Sequence, residues 1–205
     1  MAFFTHLSAN ARKHARTAAA LLCGAVLLLR PSEAAAESIA PTRSAAVLTE
    51  SGQLDISSRF HTELPDQLKQ ALKQGVPLYF TLSYRLSSPT MAAYKFKLGQ
   101  LVSSDNDVAY KLSFHPLTNR YRVTVGTFST EYSGLDTALR GIGAIANWRV
   151  LPKGTLDDTD AHEVKAEIRL TLSTAQLPKP FQINSLTAKN WQLDSGWKTL
   201  SVSKG

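Results

Sequence analysis

Leu78-Tyr79-Phe80-Thr81-Leu82-Ser83-Tyr84-Arg85-Leu86 is the stretch that decides the fold class. A large apolar side chain occupies every second position, and Tyr, Thr, Ser and Arg fill the places between. Successive side chains of a strand point to opposite faces, so this spacing describes a strand with one buried and one wet face. The period recurs along the chain. Tyr94, Phe96 and Leu98 alternate with Lys95 and Lys97, and Val108, Tyr110, Leu112 and Phe114 with Ala109, Lys111 and Ser113. Tyr121, Val123 and Val125 alternate with Arg122 and Thr124, and Val164 to Leu172 repeats the pattern. Strands wet on one side belong to antiparallel sheets.

The connections agree with that reading. His115-Pro116-Leu117-Thr118-Asn119 is a turn cluster between two such strands. Asp194-Ser195-Gly196, between Trp191/Leu193 and Trp197/Leu200, reads as a tight hairpin with glycine in the left-handed region. Two segments switch to the helical period. Leu64, Leu68, Ala71 and Leu72 share one face, with Pro65 in the first turn and Gly75 as a stop. Leu135, Ala138, Leu139 and Ile142 repeat the arrangement, with Ser133 as the expected cap and Gly141 and Gly143 shortening the far end. The predicted fold is mainly β (α+β), an antiparallel sheet or sandwich with two short amphipathic helices.

The first segment reads as an export signal. Arg12, Lys13 and Arg16 form a basic head before the apolar run from Ala18 to Leu29, and Arg30-Pro31 ends that run. Ala34 and Ala36 supply the small-x-small pattern of a signal-peptidase site, which puts the cut before Glu37. The apolar run is shorter than the roughly 20 residues a membrane anchor needs. Cys23 lies inside the run rather than just after it, which argues against a lipoprotein, and Arg12-Lys13 is not a twin-arginine pair. The expected division is a cleavable signal peptide over residues 1–36, a flexible leader rich in Ala, Ser, Pro and Thr over 37–51, and a single β-rich domain over 52–205. No transmembrane segment is expected after cleavage.

Removing the signal changes the charge balance. The chain carries 23 cations and 16 carboxylates, and the signal takes Arg12, Lys13, Arg16 and Arg30 with Glu33. A mild balance of +4 remains, with no cysteine and so no disulfide or thiolate metal site. A nucleic-acid partner is disfavoured by that balance, by the compartment and by the lack of a basic helix or aromatic RNA-binding motif.

Four segments in order resemble a family of proteobacterial exported proteins, domain-of-unknown-function family 4390. They are Ala71-Leu72-Lys73-Gln74-Gly75-Val76-Pro77-Leu78-Tyr79-Phe80, and Tyr110 to Val123 through His115-Pro116-Leu117-Thr118-Asn119. The others are Leu135-Asp136-Thr137-Ala138-Leu139 with Trp148-Arg149-Val150, and Leu177-Pro178-Lys179-Pro180-Phe181-Gln182-Ile183-Asn184 with Trp191 and Trp197. One departure is the stretch Leu86 to Ala93, where the family tends to carry aromatic and arginine residues. The resemblance implies export and a shared domain but no activity. It also implies a link to envelope sensing or signalling, through neighbouring nitrogen-type sensor-kinase genes.

Candidate chemistry is sparse. His61, His115 and His162 are far apart in sequence, and no hydrolase, metalloprotease or phosphate-loop motif is present. The Asp157–Glu163 run lacks the spacing that wraps a chain around calcium and reads as a solvated turn. Trp148, Trp191 and Trp197 read as core or rim anchors. Two surfaces stand out. Lys95, Lys97, Lys111 and Arg122 share the polar phase of three successive strands and form the candidate partner surface. Pro178-Lys179-Pro180-Phe181, biased to extended backbone, is the candidate docking edge. The expected function is that of an exported periplasmic, non-enzymatic binding or adaptor domain without a cofactor. Its expected partner is an envelope protein or an anionic envelope component. The alternatives are a carrier of an apolar, lipid-like ligand held between sheet and helices, and a small hydrolase.

Overall fold

The computed structural model describes residues 38–87, 107–182 and 191–205. In chain order these form β1 (Ile39–Leu48), β2 (Leu54–Thr62), α1 (Asp66–Lys73), β3 (Leu78–Ser87), β4 (Asp107–His115), β5 (Arg120–Val125) and β6 (Phe128–Tyr132). Then come α2 (Leu135–Gly141), β7 (Ile145–Arg149), β8 (Lys165–Leu172), a 3-10 turn (Thr174–Gln176), β9 (Lys198–Thr199) and β10 (Ser201–Lys204). The strands make two sheets, a six-stranded one in the order β6-β5-β4-β3-β8-β9 and a four-stranded one in the order β10-β1-β2-β7. All pairings are antiparallel except that of β1 with β10, which is parallel.

Alternation builds the core. Leu78, Phe80, Leu82, Tyr84 and Leu86 of β3 are buried, as are Ala166, Ile168, Leu170 and Leu172 of β8. The register sets Phe80 beside Tyr110 and Leu172, and Leu82 beside Leu170, so these side chains tile one face of the six-stranded sheet. Leu54, Ile56 and Phe60 of β2 with Ile39, Ala46 and Leu48 of β1 answer from the other sheet in the same hydrophobic cluster. Each fully buried Leu, Ile or Phe contributes about 1.5–3 kcal/mol, so this interlayer is the main source of stability.

Both helices form where the period changed. Pro65 precedes α1, which buries Leu68, Ala71 and Leu72 and packs near β4. Pro at a helix start costs little, because the first amides have no intrahelical partner. The second helix, α2, buries Ala138 and Leu139 and packs against β2, β5 and β6. Its N-cap is Gly134, without a side-chain cap bond, where Ser133 was the expected cap.

Three other expectations are corrected. Where the composition of residues 37–51 suggests a flexible leader, residues 39–48 form β1, an interior strand bonded to β2 on one side and β10 on the other. A register shift between Pro41 and Arg43 breaks its alternation, and its small side chains carry little hydrophobic signal. The Asp194–Gly196 segment does not fold Trp191/Leu193 back on Trp197/Leu200 as a hairpin. Its two arms run along β8 instead, with the Leu172 amide bonded to the Leu193 carbonyl and the Leu200 amide to that of Ala166. Gly196 does take a left-handed φ of +63°. Ser195, buried between the arms, accepts the Leu170 amide at 2.9 Å and donates to the Gly196 carbonyl.

The Pro178–Phe181 segment is not an extended edge but the opening of a helical turn, in which the Pro178 carbonyl accepts from the Phe181 and Gln182 amides. Pro178 and Pro180 sit where a helix can spare their missing donors. The predicted strand at Tyr94–Leu98 lies outside the described residues. Among those described, no helix is long and apolar enough to cross a membrane.

Candidate binding surface on the six-stranded sheet

Positions between the buried ones form the outer side of the six-stranded sheet. Register sets Tyr79 opposite Lys111, Lys111 opposite Thr124 and Thr124 opposite Ser129, one row across four strands. The next row runs Ser113, Arg122, Glu131, and the row beyond it pairs His115 with Arg120. On the other flank Arg85 stands opposite Glu167, and Ser83 between Asp107 and Arg169. Among the described residues this side carries six cations (Arg85, Lys111, Arg120, Arg122, Lys165 and Arg169) and four carboxylates (Asp107, Glu131, Glu167 and Asp194). The face is therefore mildly cationic and laced with pairs.

Those pairs have defined geometry. Arg122 donates to Glu131 at 2.6 Å, and that bond holds the Glu131 carboxyl below its ordinary range, with Arg120 and His115 adding to the effect. Arg85 donates through Nε to Glu167 at 2.5 Å and likewise lowers its carboxyl. Arg169 reaches Asp194 with Nε at 2.8 Å and with a second nitrogen, lowering that carboxyl, and the Gly196 amide reinforces it. Trp197 lies under both guanidinium groups, its ring 4.4 Å from Arg85 and 5.7 Å from Arg169. Lys111 stands over the Tyr79 ring at 5.8 Å. Arg85 and Arg169 are thus each held in place by a carboxylate and the Trp197 ring, and such fixed groups lose little side-chain entropy on contact.

Of the predicted partner surface, Lys111 and Arg122 share this outer face in diagonal positions, while Lys95 and Lys97 lie outside the described residues. Arg122 is not a bare cation, since Glu131 offsets it. Arg120, two residues before Arg122 in the same alternation, belongs to the face and was legible by its period. Of the predicted docking edge, Pro178, Lys179 and Pro180 are exposed, whereas Phe181 packs on Trp191 with ring centroids 5.5 Å apart. Trp191 is buried and donates Nε1–H to Gln67 at 2.8 Å, so it anchors α1. Ala34, Ala36 and Glu37 lie outside the described residues.

The histidines occupy separate places. His115 sits on the outer sheet face, and His162 in the exposed turn before β8. His61 lines a cleft of about 340 Å³ with Glu63, Lys69, Asp136 and Arg140, between the end of β2 and the two helices. Its ring meets Glu63 at 3.1 Å, and both side chains are largely exposed. A second cleft, of about 320 Å³, holds Asp157, Asp158 and Asp160 beside Lys204. Among the described residues no group of three His, Cys, Asp or Glu is arranged to hold a metal ion.

A family model described as Domain of unknown function (DUF4390) matches residues 37–201. The chain belongs to the DUF4390 family. No curated protein and no solved structure compared with it matches. The DUF4390 match opens at Glu37, the residue that follows the expected cleavage site, and takes in β1 to β9 with both helices. It therefore includes β1, the segment whose composition suggested a leader. The stretch in which this DUF4390 chain departs from the expected aromatic and arginine pattern, Leu86 to Ala93, lies outside the described residues from Ser88 onward.

Proposed function

We propose that this DUF4390 chain is exported, loses residues 1–36, and works in the periplasm as a non-enzymatic binding or adaptor domain. The outer side of its six-stranded sheet meets an envelope protein or an anionic envelope component. One observation carries this reading: a solvent-facing sheet side on which cations outnumber carboxylates while Trp197 and Tyr79 support Arg85, Arg169 and Lys111. Interfaces favour arginine and aromatic side chains because they offer large contact area at low entropic cost. The excess charge would steer an anionic partner mainly through the association rate. Export is supported by the basic head, the short apolar run and the Ala34-x-Ala36 site, together with a family match that begins at the next residue.

The test is a crosslinked pull-down from intact cells, with mass spectrometry of proteins and lipids, for wild type and an Arg85, Lys111, Arg122 and Arg169 to Gln variant. The captured partner should bind wild type less tightly as salt rises and bind the variant weakly at any salt. Full binding and full complementation by the variant would reduce the face to a solvated surface. N-terminal sequencing of the protein from the periplasmic fraction should start at Glu37, and a species retaining Cys23 would overturn the export reading.

A further inference from the structure

The strand β6 ends the six-stranded sheet, and its side away from β5 bonds to no strand among the described residues. Open strand edges invite pairing with another chain, and folded proteins blunt them. The other edges are blunted. At β7 the register shifts and Asn147 takes a left-handed φ of 51°, β9 is two residues long, and β10 is four residues long and carries Lys204. By contrast Phe128-Ser129-Thr130-Glu131-Tyr132 has no proline, glycine or lysine and pairs with β5 in unbroken register. Phe128 is 82% exposed.

Main-chain geometry fixes how a second strand would dock. A two-residue turn, with Gly126 at φ +57°, joins Val125 to Phe128, and such hairpins close on a hydrogen-bonded pair. Alternate pairs down the ladder are bonded likewise, so Phe128, Thr130 and Tyr132 direct their amides and carbonyls to β5. Those of Ser129 and Glu131 point outward. An identical strand laid antiparallel about Thr130 satisfies both, pairing Ser129 with Glu131 of the second copy in each direction. The same register sets Phe128 against the second copy's Tyr132, an aromatic cross-strand pair that continues the apolar row Phe114–Tyr121–Tyr132. No like charges face each other directly, and each Glu131 is already held by its own Arg122. Shifting the pairing by two residues one way sets Glu131 against Glu131, and the other way leaves Tyr132 without a partner.

We propose that β6 is the seam of a homodimer in which two copies join their six-stranded sheets edge to edge about Thr130. Five residues a side fall short of the roughly 1,200 Å² of a standard interface, so the association is weak and best read by trapping. Residue 130 lies in a non-hydrogen-bonded pair on the two-fold axis, where Cα atoms approach to about 4.5 Å, close enough for a disulfide.

The experiment uses the full chain with Cys23→Ser, adding either Thr130→Cys or, as the exposed control, Leu117→Cys, under mild oxidation. Thr130→Cys should form covalent dimers about tenfold faster or more than Leu117→Cys, because pairing raises the effective thiol concentration. Adding Ser129→Pro removes an outward donor but no ladder bond to β5, and should erase that advantage. Sedimentation supplies a second reading: wild type should gain mass with concentration, and Thr130→Lys, which sets two cations on the axis, should remain monomeric. Equal trapping rates for the two cysteine variants, or mass gain unaffected by Thr130→Lys, would overturn the proposal.

Discussion

The hydroxyl of Tyr84, on the central strand β3, donates a 2.8 Å hydrogen bond to the carbonyl of Val150, just past the edge strand β7. The ring also meets Trp148 edge-on, with centroids 5.1 Å apart. This polar contact ties one sheet to the other. Tyr84→Phe keeps the packing and removes the donor, which should cost about 1 kcal/mol and lower the melting temperature by roughly 2–4 °C. Burial raises the Tyr84 phenol above its ordinary value and pushes that of Tyr110 up to about 12. Unfolded tyrosine ionises near pH 10, so this stabilisation is complete below that value and is lost as pH climbs toward the folded values. Urea midpoints at about pH 8 and pH 11 should therefore differ less for Tyr84→Phe than for wild type.

Gly143 marks a close approach of the sheets. Its φ is +72°, and a Cβ there would lie 2.8 Å from the Phe60 ring of β2 and 2.9 Å from a Leu170 methyl of β8. Ser58 donates to its carbonyl at 2.9 Å. Backbone strain and overpacking act together, so Gly143→Ala should destabilise by about 3 kcal/mol. Gly75→Ala shares the left-handed φ but meets nothing within 4 Å, and denaturant melts should show the smaller loss there.

Acid should loosen the outer ion pairs. The Asp194 carboxyl is lowered by its bonds from Arg169 and then by the Gly196 amide. A lowered carboxyl contributes stability above its unfolded value, near 3.9, and that stability is lost as pH falls through the folded value. The pair is over a third exposed, so solvent screening limits the contribution to under about 1 kcal/mol. Asp194→Asn should show a slightly lower urea midpoint at pH 7 and a smaller further loss on acidification to about pH 3 than wild type.

Stability should be indifferent to metal removal. Packing between two sheets accounts for the fold, and no ligand cluster is present among the described residues. A strong chelator should leave the melting temperature unchanged. A large drop would point to the acidic cleft at Asp157–Asp160.

Strands with one large apolar residue at every second place could be read from the chain directly. The segments β3, β4, β5 and β8 follow the alternation that starts at Leu78, because side-chain direction is a local property of the backbone. Partnership is not local. Arg85 and Arg169 meet over Trp197 only because β3 and β8 are neighbours and the chain near Gly196 runs beside β8, and no spacing in the sequence encodes that order. The strand β1 is not legible in the sequence, for another reason. Ala, Ser and Thr bury little surface, and its place rests on main-chain bonds to two neighbours, which composition does not report. Pro178 and Pro180 misled through their extended preference, which the opening turn of a helix overrides.

The parallel ladder between β1 and β10 joins the earliest described strand to the last, with Ala45 beside Ser201. A ribosome releases Ala45 long before Ser201, so one side of β1 waits for its partner until β10 has been made. The four-stranded layer is sealed only once β10 has emerged, and until then the nascent chain keeps a raw flank. A chaperone that holds extended polypeptide has its longest opportunity on this segment. Truncation just before β10 would leave the same flank open permanently.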